Sequence, residues 1–268
     1  MRPALPAGHA PIVSDAERGL DQDEFFFVLQ PKLRLQKNEL TGFECLIRWR
    51  HPESGVLRPA AFISVVEDSS LAGQFTDLLI ARATGILKRW KTAGYGDLSL
   101  AVNLSAAELG RKDLPDRLCT LFGSFDINPS CFEIELTAVV HPDQLDWLVG
   151  VIQAVQAIGV RVALDDFGHG YASLTLLQQL PVDIVKFDRS LIMQASDNEG
   201  SRRLVESLVS LAQHHGKQSV LTGLETAEQF AWARTLPGID VQGFYIGAPV
   251  GEDEIEDVIR RHRQSVGK

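Results

Sequence analysis

The stretch VRVALDDFGHGYASLTLLQQLPVDIVKF, residues 160–187, reads as strand, turn, short helix and strand. The apolar run 160–164 stops at Asp165 and Asp166. Gly168 and Gly170 loosen the turn behind them. A helical segment near 173–180 leads into a second apolar run, 182–187. A strand, a helical crossover and another strand form the unit of a parallel sheet. The same alternation extends in both directions. Strand 98–104 precedes a helix at about 114–122, and strand 131–136 precedes helix 142–158, which stops at Gly159. After 182–187 come helix 198–215, strand 218–221, helix 227–236, strand 240–245 and helix 252–262. Upstream, 25–35 is broken by Pro31, and 37–40 runs on into 43–49, which predicts an antiparallel pair. Segments 59–67 and 74–93 carry helical spacing, the second ending at Gly94. About eight strands in a chain of this length predict an α/β barrel, with an open doubly wound sheet as the alternative.

The 268 residues are 45% hydrophobic and 23% charged, which fits one large domain. The first eighteen residues, rich in Pro and Ala, read as a linker or arm, leaving 19–268 as the barrel domain. The chain then reads as one module of something longer. A net charge of −9 repels nucleic acid and anionic membrane, so neither is an expected partner. No window approaches the roughly 18 apolar residues of a membrane span, so membrane insertion is not expected. Three cysteines, Cys45, Cys119 and Cys131, show no metal or disulfide spacing, and cytoplasmic location is the expectation.

Seven acidic or amide side chains stand where apolar runs end: Glu44, Asn103, Glu135, Asp165, Asp166, Glu225 and Gln242. Lys186 ends another run. In alternating barrels the C-terminal strand ends carry the chemistry. Carboxylates there, with an amide and a lysine, suit a hard divalent cation and a phosphate ester. Adjacent carboxylates at Asp165 and Asp166 repel unless a cation lies between them; the competing reading is an aspartate pair that caps the next helix. Lys186 in a buried strand needs a partner, either a phosphate or a structural carboxylate.

The segments GFECLIRWRHPESGVLRPAAFI (42–63), VNLSAAEL (102–109), FEIELT (132–137), LDDFGHGYASL (164–174), PVDIVKFDRS (181–190), GLETAEQ (223–229) and VQGFYIGAP (241–249) resemble the EAL domain family in order and spacing. The resemblance runs from about residue 24 to 259. It implies a modified (β/α)8 barrel with an antiparallel first strand. It also implies hydrolysis of cyclic di-GMP to pGpG with two Mg²⁺ or Mn²⁺ ions. By the same resemblance, Glu44, Asn103, Glu135 and Asp165 are first-metal ligands, and Asp165 bridges to a second ion held by Asp166. Leu46 and Arg48 lie beside the ligand, Arg48 on a phosphate. Lys186 stands near the attacking water, and Glu225 and Gln242 are further polar positions of the site. Cys45 replaces a usual alanine. Two departures weaken the second metal: Ala138 and Thr222 stand where the family has glutamates. A hydroxyl is a poorer ligand than a carboxylate and cannot serve as a carboxylate base.

Three functions follow as expectations: a cyclic di-GMP receptor with weak or absent hydrolysis, a working phosphodiesterase, or a protein-interaction module without nucleotide. Homodimerisation near the paired aspartates is implied by the family, and a protein effector or further regulatory domain is a separate expectation. His141, Pro142 and Asp143 read as a helix start, His214 and His215 as a helix end, and His169 as a solvated turn residue. Trp147 and Trp232 read as packing residues. Ser105 and Ser173 lack a triad pattern.

Overall fold

A computed structural model of the protein describes residues 12–137, 145–168 and 174–266. In chain order the elements are α1 (Val13–Asp21), β1 (Phe25–Arg34), β2 (Glu39–His51), β3 (Gly55–Leu57), α2 (Ile63–Glu67), α3 (Ala72–Thr92), β4 (Ser99–Asn103), α4 (Ala106–Leu109) and α5 (Leu114–Phe125). There follow β5 (Phe132–Thr137), α6 (Leu145–Gln156), β6 (Arg161–Phe167), α7 (Leu174–Gln179), β7 (Ile184–Phe187), α8 (Arg189–Asp197) and α9 (Glu199–His214). The chain ends with β8 (Gln218–Leu221), α10 (Ala227–Ala233), β9 (Ile239–Val241), β10 (Val250–Gly251) and α11 (Ile255–Val266).

The sheet closes. From β2 the order runs through β4, β5, β6, β7, β8 and β9, and β1 joins β9 back to β2. Every pairing from β2 to β9 along this path is parallel, whereas β1 is antiparallel to both of its barrel neighbours. The result is an eight-stranded barrel with one reversed strand, not the open sheet. β3 and β10 are short extensions on β2 and β1.

Pro31 sits inside β1, opposite Phe43. On the other flank β1 pairs with β10 at Val28 and Leu29 and with β9 at Leu33 and Arg34, so Pro31 falls between the two partners. A proline costs least where the ladder is already interrupted.

Most of the core lies between barrel and helices, built from outward residues such as Val185, Phe187 and Leu221 against helical residues such as Ile152, Val205 and Val209. Alternation sends every second strand residue into the barrel. There, among the described residues, Ala163, Ile184 and Val220 form a small apolar cluster of their own. Near the N-terminal mouth, Lys32 Nζ donates to Glu133 Oε1 at 2.7 Å in a fully buried pair. The barrel interior is therefore polar at both ends around a small aliphatic plug.

Three segments differ from the periodicity reading. Residues 13–18, placed in the N-terminal arm, belong to α1, whose Ala16 is buried in the core. The strand expected over 240–245 ends at Val241, because Gly243 passes so close to the Leu224 backbone that a Cβ there would meet its carbonyl oxygen at 2.2 Å. Helix α8, absent from that reading, starts where Asp188 accepts from the Ser190 N–H. It stops at Asn198, which caps α9 by accepting from Gly200 and Ser201.

Candidate metal and phosphate site

Strand register brings the predicted residues together. Gln30 on β1 lies opposite Glu44 on β2, and Asn103 on β4 lies opposite Glu135 on β5. Lys186 is in β7, and Gln242 follows β9 directly. Glu44, Glu135 and Asp165 place carboxylate oxygens within 4.8 Å of one another.

The Lys186 ammonium holds this acid group. Its Nζ lies 2.5 Å from Glu135 Oε2, 3.1 Å from Glu44 Oε2 and 3.3 Å from Asp165 Oδ2. Asn103 Nδ2 donates to Glu44 Oε1 at 3.0 Å, and Gln242 Nε2 donates to Glu44 Oε2 at 2.8 Å and to Gln30 Oε1 at 3.2 Å. The other oxygen of Glu135, Oε1, is buried without a hydrogen-bond partner among the described residues.

One ammonium cannot neutralise three carboxylates, and the titrations divide accordingly. Burial alone would raise Glu44, but Lys186 and the Asn103 and Gln242 amides outweigh it and hold its carboxyl down at about 2. Burial pushes Asp165 up to about 6, with Glu44 and Asp166 adding to the rise against Lys186. Glu135, fully buried, is pushed well above the usual carboxylate range by burial and by Glu44. The same three acids outweigh burial at Lys186 and hold its ammonium well above the ordinary lysine value.

The paired aspartates diverge as a strand-end pair must. A register shift between Leu164 and Phe167 interrupts the β6–β7 ladder, and Asp166 adopts a left-handed φ of 53°. Aspartate tolerates that conformation better than most residues. Asp165 turns into the cluster, Asp166 is exposed, and Phe167 packs edge-on against Phe187 at 5.6 Å. Asp165 and Asp166 both line a cleft of about 460 Å³, as do Glu44, Leu46, Arg48, Lys186, Thr222, Glu225 and Gln242. Asn103 and Glu135 reach the cluster from an adjoining chamber of about 390 Å³, which shares Glu44 and Leu46 with the cleft.

Two wall positions are committed elsewhere. Thr222 Oγ1 donates to the Phe187 carbonyl at 2.8 Å. Glu225 Oε1 lies 2.9 Å from Arg189 Nη2. Ala138, the other departure from the family pattern, falls outside the described residues, as do His169 and His141 to Asp143.

Periodicity did not point to Gln30, Arg58, Arg189 or Phe244, which also line the cleft. Arg58, Arg189 and Phe244 lie within quoted motifs, at the fourteenth position after Glu44, the third after Lys186 and the second after Gln242. Gln30 carries no such signal, since only the β1–β2 register sets it opposite Glu44. Arg48 is half-buried, and burial together with Arg58 lowers its guanidinium pKa. Two neighbouring cations on a cleft wall are a natural seat for an anion.

A cation fits this site on its donor chemistry. Carboxylate and amide oxygens suit hard divalent ions, and the unpartnered Glu135 oxygen is an available ligand atom.

The sequence matches the EAL domain family over residues 13–249. The chain belongs to the EAL domain family. This EAL domain is 31% identical to the cyclic di-GMP phosphodiesterase NbdA of Pseudomonas aeruginosa over 93% of its own length and 32% of the relative's. It is 34% identical to the cyclic di-GMP phosphodiesterase RocR of the same organism, over 94% of this chain and 64% of RocR. It superposes on the PaMucR phosphodiesterase, solved as a c-di-GMP complex, with a TM-score of 0.83 and 28% identity, covering 91% of this chain and 98% of the other. The domain spans between about a third and two thirds of the lengths of these curated relatives. No described helix is long and apolar enough to cross a membrane.

Proposed function

We propose that this EAL domain binds cyclic di-GMP in the cleft and hydrolyses it weakly or not at all, acting as a receptor in second-messenger signalling. Glu44, Asn103, Glu135 and Asp165 would hold one Mg²⁺ or Mn²⁺, and a second site built on Asp165 and Asp166 would be weakened. When bound, such ions polarise a phosphoryl oxygen and lower the pKa of a water. Arg48 holds the phosphate, Leu46 and Gln242 flank the nucleotide, and Lys186 stands near the attacking water. The proposal extends to a cytoplasmic homodimer that passes ligand state to a protein effector or a further domain.

The observation that carries this reading is Thr222. Its hydroxyl proton is given to the Phe187 carbonyl, and no carboxylate replaces the family's glutamate there. Glu225, another acid lining the cleft, is ion-paired with Arg189. A loss of about 3–4 kcal/mol of transition-state stabilisation slows turnover by two to three powers of ten.

The test is cyclic di-GMP hydrolysis in Mg²⁺ and in Mn²⁺ by wild type, Thr222→Glu and Thr222→Glu/Ala138→Glu. Calorimetric binding to wild type in Ca²⁺ accompanies it. The expected result is wild-type binding with turnover roughly 100-fold or more below that of the restored variants. A wild-type rate equal to theirs overturns it. That outcome would favour the second reading, an active phosphodiesterase, which draws support from the named activity of the relatives and from the complete Glu44, Asn103, Glu135, Asp165 and Lys186 set. No binding at all would return the domain to the third reading, a protein-interaction module.

A further inference from the structure

The N-terminal mouth of the barrel carries a separate cavity of about 320 Å³, which the nucleotide reading does not use. Ile184 and Val220 line it from below, so the aliphatic plug stands between it and the metal cluster. Its size lies at the lower end of the range of about 300–1,000 Å³ typical of small-molecule sites. Contacts across the barrel bring its charged groups toward the axis. Lys32 on β1 reaches Glu133 on β5. Arg161 on β6 reaches past β7 to β8, where its Nη2 donates to Gln218 Oε1 at 2.7 Å. Arg161 is also opposite Glu133 in the β5–β6 register. Burial would raise the Glu133 carboxyl, but Lys32 and then Arg161 hold it below its ordinary value.

The other charges of this mouth are matched among themselves. Asp240 accepts from Gln218 Nε2 at 2.6 Å and lies 3.4 Å from Arg34 Nε, and Arg34 also reaches Glu39. Asp97 on the rim pairs with Arg263 of α11. Arg161 makes no ion pair among the described residues. Lys32 is 4% exposed, and it gives one of its three N–H groups to Glu133 and none to any other described residue. Buried donors are normally engaged, and a buried charge is costly unless it is paired. One carboxylate therefore serves two cations above the plug. One positive charge is left over, together with N–H groups that have no protein acceptor among the described residues. The opposite mouth has the reverse imbalance, three acids about one ammonium.

We propose that the N-terminal mouth binds a small oxyanion, of the carboxylate or phosphate type, between Arg161 and Lys32. A guanidinium presents parallel N–H groups that match two oxygens of either kind of anion. The ammonium adds a point charge with rotatable donors. The bound anion supplies the missing negative charge and ties β1 to β6 across the barrel. This site is independent of the nucleotide cleft and of its metal ions, since it shares no lining residue with the cleft.

The experiment is calorimetric titration of the intact chain with acetate and with inorganic phosphate, without divalent metal and at constant ionic strength. The proteins are wild type, Arg161→Gln, Ser130→Trp and Arg48→Ala, and thermal melting confirms that each is folded. Wild type is expected to bind one anion per chain, and the tighter of the two probes names the class. Arg161→Gln, which removes the charge but keeps a polar end, is expected to weaken binding at least tenfold. Ser130 is an exposed residue of the cavity rim, and Ser130→Trp is expected to weaken binding at least tenfold by narrowing the entrance. If Arg161→Gln does not fold, Ser130→Trp decides in the same way. Arg48→Ala, at the other mouth, is expected to bind the anion as wild type does. Absence of wild-type binding at roughly 10 mM anion overturns the proposal and leaves the cyclic dinucleotide reading standing. Wild-type affinity retained in Arg161→Gln overturns it as well. Binding lost in Arg48→Ala but kept in Arg161→Gln puts the anion at the other mouth, and that too overturns it.

Discussion

Lys186 is the residue on which the site's electrostatics turn. It is fully buried and shared by three acids at 2.5 to 3.3 Å. Removing one partner from a buried ionic group costs about 3–5 kcal/mol. Lys186→Met is therefore expected to lower the melting temperature, and Mn²⁺ is expected to bind it more tightly than wild type, because the ammonium no longer occupies the same oxygens. Melting scans with and without Mn²⁺ check both. The pH dependence has two opposing parts. Glu44 is held at about 2, below its ordinary 4.5, so its contribution to stability is present above 4.5 and is lost as pH falls toward 2. Asp165 is raised from 3.8 to about 6, so between those values the unfolded chain has released a proton that the folded chain keeps. Its contribution is present below 3.8 and is lost as pH rises toward 6.

At the scale of elements, close approach of backbones decides where strands run. Gly42 lies opposite Ser99 across the β2–β4 pair, and a Cβ at 42 would meet the Ser99 carbonyl oxygen at 2.3 Å and its hydroxyl at 2.2 Å. The hydroxyl can rotate away, but the carbonyl oxygen cannot withdraw without opening the ladder that sets Glu44 two residues later. Gly42→Ala is expected to destabilise the domain by about 1–3 kcal/mol. It should also weaken Mn²⁺ binding, since Glu44 and the β4 residue Asn103 shift apart. Denaturant unfolding and metal titration measure the two effects. Unaltered stability would show that the pair tolerates a methyl group and that the approach is not structural. The same kind of approach, Gly243 against Leu224, ends β9 and frees Gln242 to face Glu44.

At the scale of the molecule, the barrel is a device for holding like charges together. Its C-terminal mouth sets three acids, Glu44, Glu135 and Asp165, against the one ammonium of Lys186. A divalent cation offsets that excess and so stabilises the folded state. At 100 times its dissociation constant it adds about 2.7 kcal/mol. The melting temperature is expected to rise by several degrees in Mn²⁺ at pH 8. The rise should shrink as pH falls below about 6, where Asp165 takes up its proton, and should be lost in Glu44→Gln. A shift that persists unchanged in Glu44→Gln would place the metal elsewhere.

The alternation of short apolar runs with helical segments, and the position of Glu44, Asn103, Glu135, Asp165, Lys186 and Gln242 at the ends of those runs, lay in the sequence alone, because strand and helix periods and their stop residues are local properties. So were the motifs that mark an EAL domain. Closure of the sheet was not local: it required β1 to pair with both β2 and β9, residues two hundred positions apart. The partners of Lys186 likewise come from β2, β5 and β6, and only the register of a closed barrel sets them within one ammonium's reach. Gln30 became visible only when tertiary packing fixed what stands opposite it. A side chain's ionisation and use depend on neighbours that chain order does not reveal.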